Sequence, residues 1–479
     1  MITNPVRTLG SRRVVTRMFS NVLVLFMLAS SAWGQTAPTA AEVQALREQI
    51  AEQQKVLQAM QAALTEQQKK LDALTAAPVT ATANPAPAPG ALATAPVKVQ
   101  AAKPIPAAPK WYDKYTLRGY AQVRDNRVYT SNKSLTCAQC DANIGNNTNF
   151  SIRRARMILS GDVNDHISLY FQNDFAQTSN GALHFGQIRD LYADVFLDKK
   201  KEYRLRVGQS KVPFGWENMQ SSQNRLALDR TDPINSAAPG ERDLGVFFYY
   251  APAKIRSLLA TLATAGTGGL KGSGDYGVVA LGVYNGQSVN RPEANNSVHT
   301  VARVNYPWQL KNGQLIEAGI QAYTGRFTVD TRTAGVKGPA DFTFADRRVG
   351  ANFIVYPKPL GFQGEILTGK GPSYNPASNS ILNRSLRGGY AQTMYMLKVK
   401  GQVLTPFYRY QYYSGGKKQE LDARKYLVRD SDFGIEWQQS NFFEITGQFT
   451  HSDRTYEDAS KPNNRQKGNL LRIQFQVNY

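Results

Sequence analysis

The 479 residues carry 57 Lys and Arg against 36 Asp and Glu, a formal charge of +21 that in a soluble protein would raise a nucleic-acid partner. No apolar run after residue 34 is long enough to cross a bilayer as a helix, so a helical membrane protein is excluded beyond that point. With two cysteines, no second Cys pair and no His cluster, no metal site or cofactor is expected.

Residues 1–34 read as a secretory signal. Arg7, Arg12, Arg13 and Arg17 form a basic region, 22–28 is apolar, and Ala32-Trp33-Gly34 offers small residues for cleavage before Gln35. Removing four basic and no acidic residues takes the charge from +21 to +17. Export argues against a nucleic-acid partner and turns the basic charge toward small anions or lipid headgroups.

Residues 35–74 hold a heptad pattern, with Val43, Ile50, Leu57, Leu64 and Leu71 at one core position and Leu46, Gln53, Met60, Gln67 and Leu74 at the other. Eight of these ten are apolar, which predicts a periplasmic coiled coil rather than a surface helix, because the polar face is rich in Gln and Glu rather than Lys and Arg. Residues 75–110 contain eight prolines among Ala, Thr and Val and predict an extended linker.

From 111 to 479 the pattern becomes strand after strand. Segments at about 115–124, 151–161, 166–175, 187–198, 203–210, 243–250, 275–285, 299–307, 314–324, 347–356, 361–369, 390–400, 402–412, 433–439, 441–450 and 469–479 make sixteen candidates. In the last, Leu471, Ile473, Phe475, Val477 and Tyr479 alternate with Arg472, Gln474, Gln476 and Asn478, giving one apolar and one polar face. An even strand count, short turns alternating with long loops, and an aromatic at a strand end predict a transmembrane antiparallel up-and-down β-barrel in the outer membrane of a Gram-negative bacterium. The gap at 251–274 breaks the alternation and reads as a miscounted strand pair or a periplasmic insertion. Cys137 and Cys140 fall in the long gap after the first strand, where a local disulfide is expected in an oxidising compartment.

If apolar residues face lipid, then Arg118, Arg124, Arg154, Arg156, Arg204, Arg206, Arg303, Lys398, Lys400, Arg409 and Arg472 face the lumen, where they would attract anions. Arg153 alternates the other way and is expected near an interface. His166, Asp174, Asp190, Asp194, Glu317, Glu365, Glu436 and Glu444 are also expected inside, so part of the basic charge is expected to be paired. The long segment 211–242, with Lys211, Arg225, Arg230 and Arg242 beside Glu217, Asp229, Asp232 and Glu241, is the candidate loop to fold inward and narrow the barrel.

Two segments carry a family resemblance. Residues 151–161 (SIRRARMILSG) and 205–218 (LRVGQSKVPFGWEN), together with Asn285-Gly286, resemble the phosphate-selective porins of types O and P, over roughly 111–479. The resemblance implies a trimeric sixteen-stranded barrel, a ladder of lumen arginines and a lysine near the narrowest point. On matching positions it nominates Arg153, Arg154, Arg156, Arg206 and Lys211. Ser210 stands where the family's aromatic precedes the lysine, so the loop's anchoring is open. The leading expectation is passive diffusion of phosphate, polyphosphate or similar anions. The alternatives are a general or organic-solute porin with neutralised arginines, and a structural anchor whose coiled coil reaches the cell wall. An enzyme is not expected: the adjacent His451 and Ser452 point to opposite faces of a strand.

Overall fold

In the computed structural model, residues 110–479 are described except 130–134, 138–140, 142, 146–149, 180–181 and 265, together with nine isolated positions between Gln44 and Lys69. Those nine are helical and exposed. The signal segment, the heptad core positions and the proline-rich linker lie outside the described residues.

The strands are β1 (Tyr115–Val128), β2 (Phe150–Asn164), β3 (Ile167–Ser179), β4 (Ala182–Phe196), β5 (Tyr203–Lys211), β6 (Arg242–Tyr250), β7 (Val279–Tyr284) and β8 (His299–Gln309). They continue as β9 (Leu315–Thr328), β10 (Thr343–Val355), β11 (Leu360–Asn375), β12 (Ser380–Tyr395, resuming at Leu397–Val399), β13 (Gln402–Gly416), β14 (Lys425–Gln438), β15 (Phe443–Asp458) and β16 (Lys461–Asn478). Both pieces of β12 pair with β13, so they form one stave of sixteen. Each strand pairs antiparallel with its chain neighbour, and β1 pairs with both β2 and β16, which closes the barrel.

Period-2 patterning builds this wall. In β16, Arg472, Gln474 and Gln476 are buried inside, while Leu471, Ile473, Phe475 and Val477 point outward. Leu117, Leu159, Leu191, Ile320, Ile366 and Phe433 extend the apolar exterior around the barrel. At the end holding both barrel termini, Trp111, Tyr203, Trp308, Tyr395, Phe442 and Tyr479 are exposed as an aromatic girdle. Closure is tight there. Tyr479 exchanges backbone hydrogen bonds with Gly119, and its hydroxyl donates to the Arg156 carbonyl at 2.9 Å. A Cβ on Gly119 would lie 2.6 Å from the Tyr479 ring, so only glycine admits that ring.

All sixteen expected strands are present, and most run longer than their apolar alternation. The gaps expected at 176–186, 370–389, 413–432 and 451–468 are largely strand, because β3–β4, β11–β12, β13–β14 and β15–β16 continue past the apolar belt as hairpins. Beyond the bilayer both faces are wet, so pairing persists where the alternation no longer signals it. The gap at 251–274 holds no extra strand pair. It carries helix α3 (Ala253–Leu262) and an irregular return, an insertion at the girdle end.

The lumen has an apolar side. Phe247, Tyr249, Tyr284, Val301, Tyr323, Leu367, Leu386 and Tyr390 on β6–β12 face inward, and Val212, Phe214, Ile234 and Ala237 of the 212–241 segment pack onto them. Burying each of these larger side chains contributes about 1.5–3 kcal/mol, which is why this segment folds into the barrel rather than over its rim.

Candidate functional site

The inward loop contains α1 (Trp216–Met219), a 3₁₀ turn and α2 (Asp232–Ala237), and its side chains are almost all buried. It crosses the whole lumen. Glu365 on β11 accepts the Trp216 and Glu217 amides at 2.6 and 2.7 Å, Gln411 on β13 accepts the Asp232 amide at 2.7 Å, and Gln448 on β15 accepts the Leu228 amide at 2.9 Å. On the near wall, Gln122 donates to the Ser222 carbonyl at 3.2 Å and Tyr120 bonds the Ser222 hydroxyl at 2.6 Å. A loop tied to opposite walls is a fixed constriction.

Lys211 is the pin of this loop. Its ammonium donates to the carbonyls of Asn218, Met219 and Gln220 at 3.0, 3.1 and 2.7 Å, which uses all three donors at the end of α1. No donor is left over for a passing anion, so Lys211 acts on the pore by holding its shape. Glu241 is the charge hub beside it, meeting Lys211 at 3.6 Å, Arg230 at 3.2 Å, and Arg225 and Arg242 more closely. Burial opposes ionisation of Glu241, but these four cations outweigh it and hold the carboxyl well below its ordinary range. Asp229 is a second hub, for Arg124 at 3.0 Å, Arg153 at 3.6 Å and Arg472; burial opposes its ionisation too, and the arginines again prevail.

Most expected lumen arginines are inside and paired. Arg156 meets Asp174 at 2.8 Å, and Arg206 grips Asp194 through two hydrogen bonds of 2.8 and 2.9 Å. Arg409 bridges Asp432 at 2.7 Å and Glu217 at 3.0 Å, and Arg303 lies 3.7 Å from Glu317. Arg204 sits 3.6 Å from Asp194 and 3.4 Å from Asp275, and Arg124 also meets Asp141 at 2.7 Å. Arg118 is exposed within the girdle end of the lumen, Lys398 on the resumed piece of β12 reaches Gly268 of the insertion, and Lys400, expected inside, is exposed in the turn after β12.

Arg153 corrects the alternation. The β1–β2 register slips between Gln122–Arg154 and Val123–Ile152, leaving Arg153 as the extra residue of a β-bulge. The bulge turns Arg153 inward beside Arg154, toward Asp141 and Asp229, instead of toward an interface. A second slip, between Gln172–Asp190 and Asn173–Ile188, brings in Arg189, which donates to the Gly240 carbonyl at 2.7 Å. His166, also expected inside, is exposed in the β2–β3 turn. Lys271, Lys417 and Lys418 enter from loops and bind Glu436, Asp232 and Asp346, and no sequence period could have flagged them. Arg348 follows the alternation of β10, whereas Arg454 lies on the part of β15 beyond the apolar belt, where alternation gives no signal. Cys137 is disulfide-bonded, and Cys140, the only other cysteine in the chain, lies outside the described residues.

Arg154 differs from its neighbours. It is buried, donates to Gln122 Oε1 at 2.7 Å, and has no carboxylate partner among the described residues. The nearby carboxylate, Asp229, is taken up by Arg124, Arg153 and Arg472.

A closed barrel with an apolar exterior, an aromatic girdle and a loop drawn across a charged lumen defines an outer-membrane porin. The chain belongs to the phosphate-selective porin O and P family, whose model matches residues 136–479. No curated protein matches the sequence. Among solved structures, the chain is similar to the outer membrane channel DcaP of Acinetobacter baumannii, with 11% identity and a TM-score of 0.47 over 76% of this chain and 97% of that one. It is also similar to OmpF of Salmonella typhi in complex with daunomycin, with 9% identity and a TM-score of 0.46 over the same shares.

Proposed function

We propose that the barrel is an anion-selective porin for passive diffusion of phosphate and similar small anions, assembled as a homotrimer in outer-membrane lipid. The observation that carries the selectivity is Arg154, a buried guanidinium with no carboxylate within ion-pairing distance among the described residues, because the nearby Asp229 is bound by Arg124, Arg153 and Arg472. Such a group favours a mobile anion beside it, and its planar fork suits two oxygens of one phosphate. The extensive pairing elsewhere supports a modest rather than extreme preference, because a neutralised arginine contributes little net field. It also keeps any single site shallow enough for the anion to leave.

The test is the zero-current potential of the purified protein in a planar bilayer under a KCl gradient, followed by phosphate titration. Preference for chloride, with phosphate reducing the chloride current, is expected. Arg154→Ala should lower the chloride-to-potassium permeability ratio about fivefold, the weight of the roughly 1 kcal/mol that one screened charge contributes at close range. Arg154→Lys should retain most of the preference. A wild-type channel without anion preference would instead favour a general or organic-solute porin.

A further inference from the structure

The outer wall of the barrel is recessed over β7–β11. In register across the sheet, one outward row runs Val283, Thr300, Thr324, Arg347 and Lys370, and the next row toward the girdle runs Leu281, Ala302, Ala322, Val349 and Thr368. Thr300, Ala302, Ala322 and Thr324 are small, so β8 and β9 make a floor about 10 Å wide, twice the strand spacing. Leu281 and Val283 wall it on one side, and Arg347, Val349 and Lys370 on the other. The trough between them measures about 1000 Å³, the upper end of the roughly 300–1,000 Å³ of ligand clefts. Elsewhere the belt is filled by bulkier exposed residues such as Leu159, Leu191, Phe433 and Phe449.

The cations of this wall have no anion of their own. Arg347 and Lys370 are directly opposed across β10–β11, and Arg387 lies opposite Thr368, diagonal to Lys370. All three are exposed, and none has an ion pair or side-chain hydrogen bond among the described residues. The carboxylates on β5–β12 are Asp243, Glu317, Asp346 and Glu365, and all four are buried on the lumen side. Of those in the loop above, Asp341 interacts with Arg326, which also donates to the Thr343 carbonyl at 3.4 Å, and Asp330 is held by Arg291. Like charges directly opposite each other destabilise a strand pair, so an anion between Arg347 and Lys370 is favoured. Another stretch of the exterior supplies its own: Arg429 and Lys467 lie in register on either side of Asp453.

The same cations mark a level in the membrane. Outward along β10 from the girdle end come Val355, Phe353, Ala351 and Val349, and Arg347 is the first charge. The long loops 285–298 and 329–342 lie at that end, which is the outer side of an outer-membrane barrel. An acyl chain lying in the trough therefore brings its headgroup level with Arg347 and Lys370.

We propose that the trough binds a phosphorylated lipid of the outer leaflet, with an acyl chain on the Ala302–Ala322 floor and a phosphomonoester between Arg347 and Lys370. A phosphomonoester carries about −1.5 to −2 charges at neutral pH and so answers two facing cations. Arg347 offers a planar fork for two of its oxygens, Lys370 a point charge, and Arg387 a further cation beside them. The site depends on the barrel lying in the outer membrane and not on the ions its lumen conducts.

The experiment is native mass spectrometry of the full-length protein in detergent, titrated with diphosphoryl lipid A or with phosphatidylethanolamine, whose phosphate is a diester beside an ammonium. Half-saturation by diphosphoryl lipid A is expected at a concentration at least about tenfold below that of phosphatidylethanolamine. The double variant Arg347→Gln/Lys370→Gln should weaken lipid A binding about thirtyfold, the combined weight of two basic residues at a lipid surface. Ala322→Trp fills the floor and keeps every cation, and should weaken binding at least about fivefold. Arg429→Gln/Lys467→Gln removes the same charge away from the trough and should shift binding less than about twofold. Equal half-saturation of the wild type by the two lipids overturns the site, a comparison that needs no variant to fold. A loss at Arg429 and Lys467 as large as that at Arg347 and Lys370 shows diffuse attraction and overturns it too, as does binding unmoved by Ala322→Trp. The same spectra count chains, so a wild-type oligomer that Ala322→Trp dissociates assigns the trough to a second copy of the chain instead.

Discussion

Lys211 and Arg154 show how two cations on neighbouring walls acquire opposite roles from their partners. Lys211 meets three carbonyls and a carboxylate, so its charge is spent on holding α1. Arg154 meets one amide oxygen, so its charge remains available to solute. Lys211→Met should leave three buried carbonyls without their donor, each charge-assisted bond being worth about 1.5–3 kcal/mol. The expected result is a barrel that still assembles but gives noisier and larger single-channel currents, since strand pairing does not depend on the loop. Glu241 gives the matching pH dependence. Its carboxyl is held below its ordinary range in the folded loop, so its stabilising contribution is fully present above the unfolded carboxylate range, near about pH 4.5. That contribution is lost as pH falls toward the depressed folded value. Single-channel current should therefore be quiet from about pH 8 to pH 5 and become unsteady in stronger acid, and Glu241→Gln should bring that unsteadiness to neutral pH.

At the scale of elements, the inward loop and the insertion form two stacked partitions that share hydrogen bonds at Gln220 and Asn224. The loop is fixed by an apolar inner wall, whereas the tip of the insertion is fixed by Lys271 between two carboxylates and by the Thr267 and Gly268 amides, which donate to Asn441 at 2.9 Å and Gln438 at 3.0 Å. Lys271→Met removes the cation and leaves Glu436 and Glu444 facing each other. Breaking a buried pair in this way costs about 3–5 kcal/mol, more than a short surface-connected segment gains from its remaining contacts at that tip. The insertion should swing from the far wall, and conductance should rise while the chloride preference set above it stays. Equal conductance in wild type and variant would show that the solute path avoids the insertion. The bulges in β2 and β4 belong to the same scale: each adds one residue to a strand and delivers one more arginine to the lumen.

For the whole molecule, the barrel and the segments folded into it lie within residues 110–479. The expected coiled coil and linker are proposed as a periplasmic attachment with its own role, since a proline-rich linker reaches about 3.1 Å per residue and transmits little force to the barrel. Deleting 35–110 should leave conductance and ion preference unchanged and weaken co-sedimentation of the barrel with cell-wall fragments. Altered conductance in that deletion would assign the leader to the pore instead.

The barrel itself was legible in the sequence because side chains of a strand must alternate between faces, and lipid on one side with water on the other imposes that alternation on residues such as Leu471 to Val477. The same rule placed Arg124, Arg154, Arg156, Arg206 and Arg409 inside. It failed at Arg153, where one inserted residue reverses the phase, and at Phe247 and Tyr323, which are apolar yet inward because the loop covers them. It gave no access to Lys271, Lys417 or Lys418, whose loops carry no period. Sequence by itself therefore determined the closed wall and the side each regular strand residue takes, since both follow from local geometry and solvent. Only the tertiary structure decided which cations are neutralised, because deciding pairs such as Arg409–Glu217, Arg472–Asp229 and Lys271–Glu436 join residues far apart in the chain and depend on how two loops fold across the same lumen.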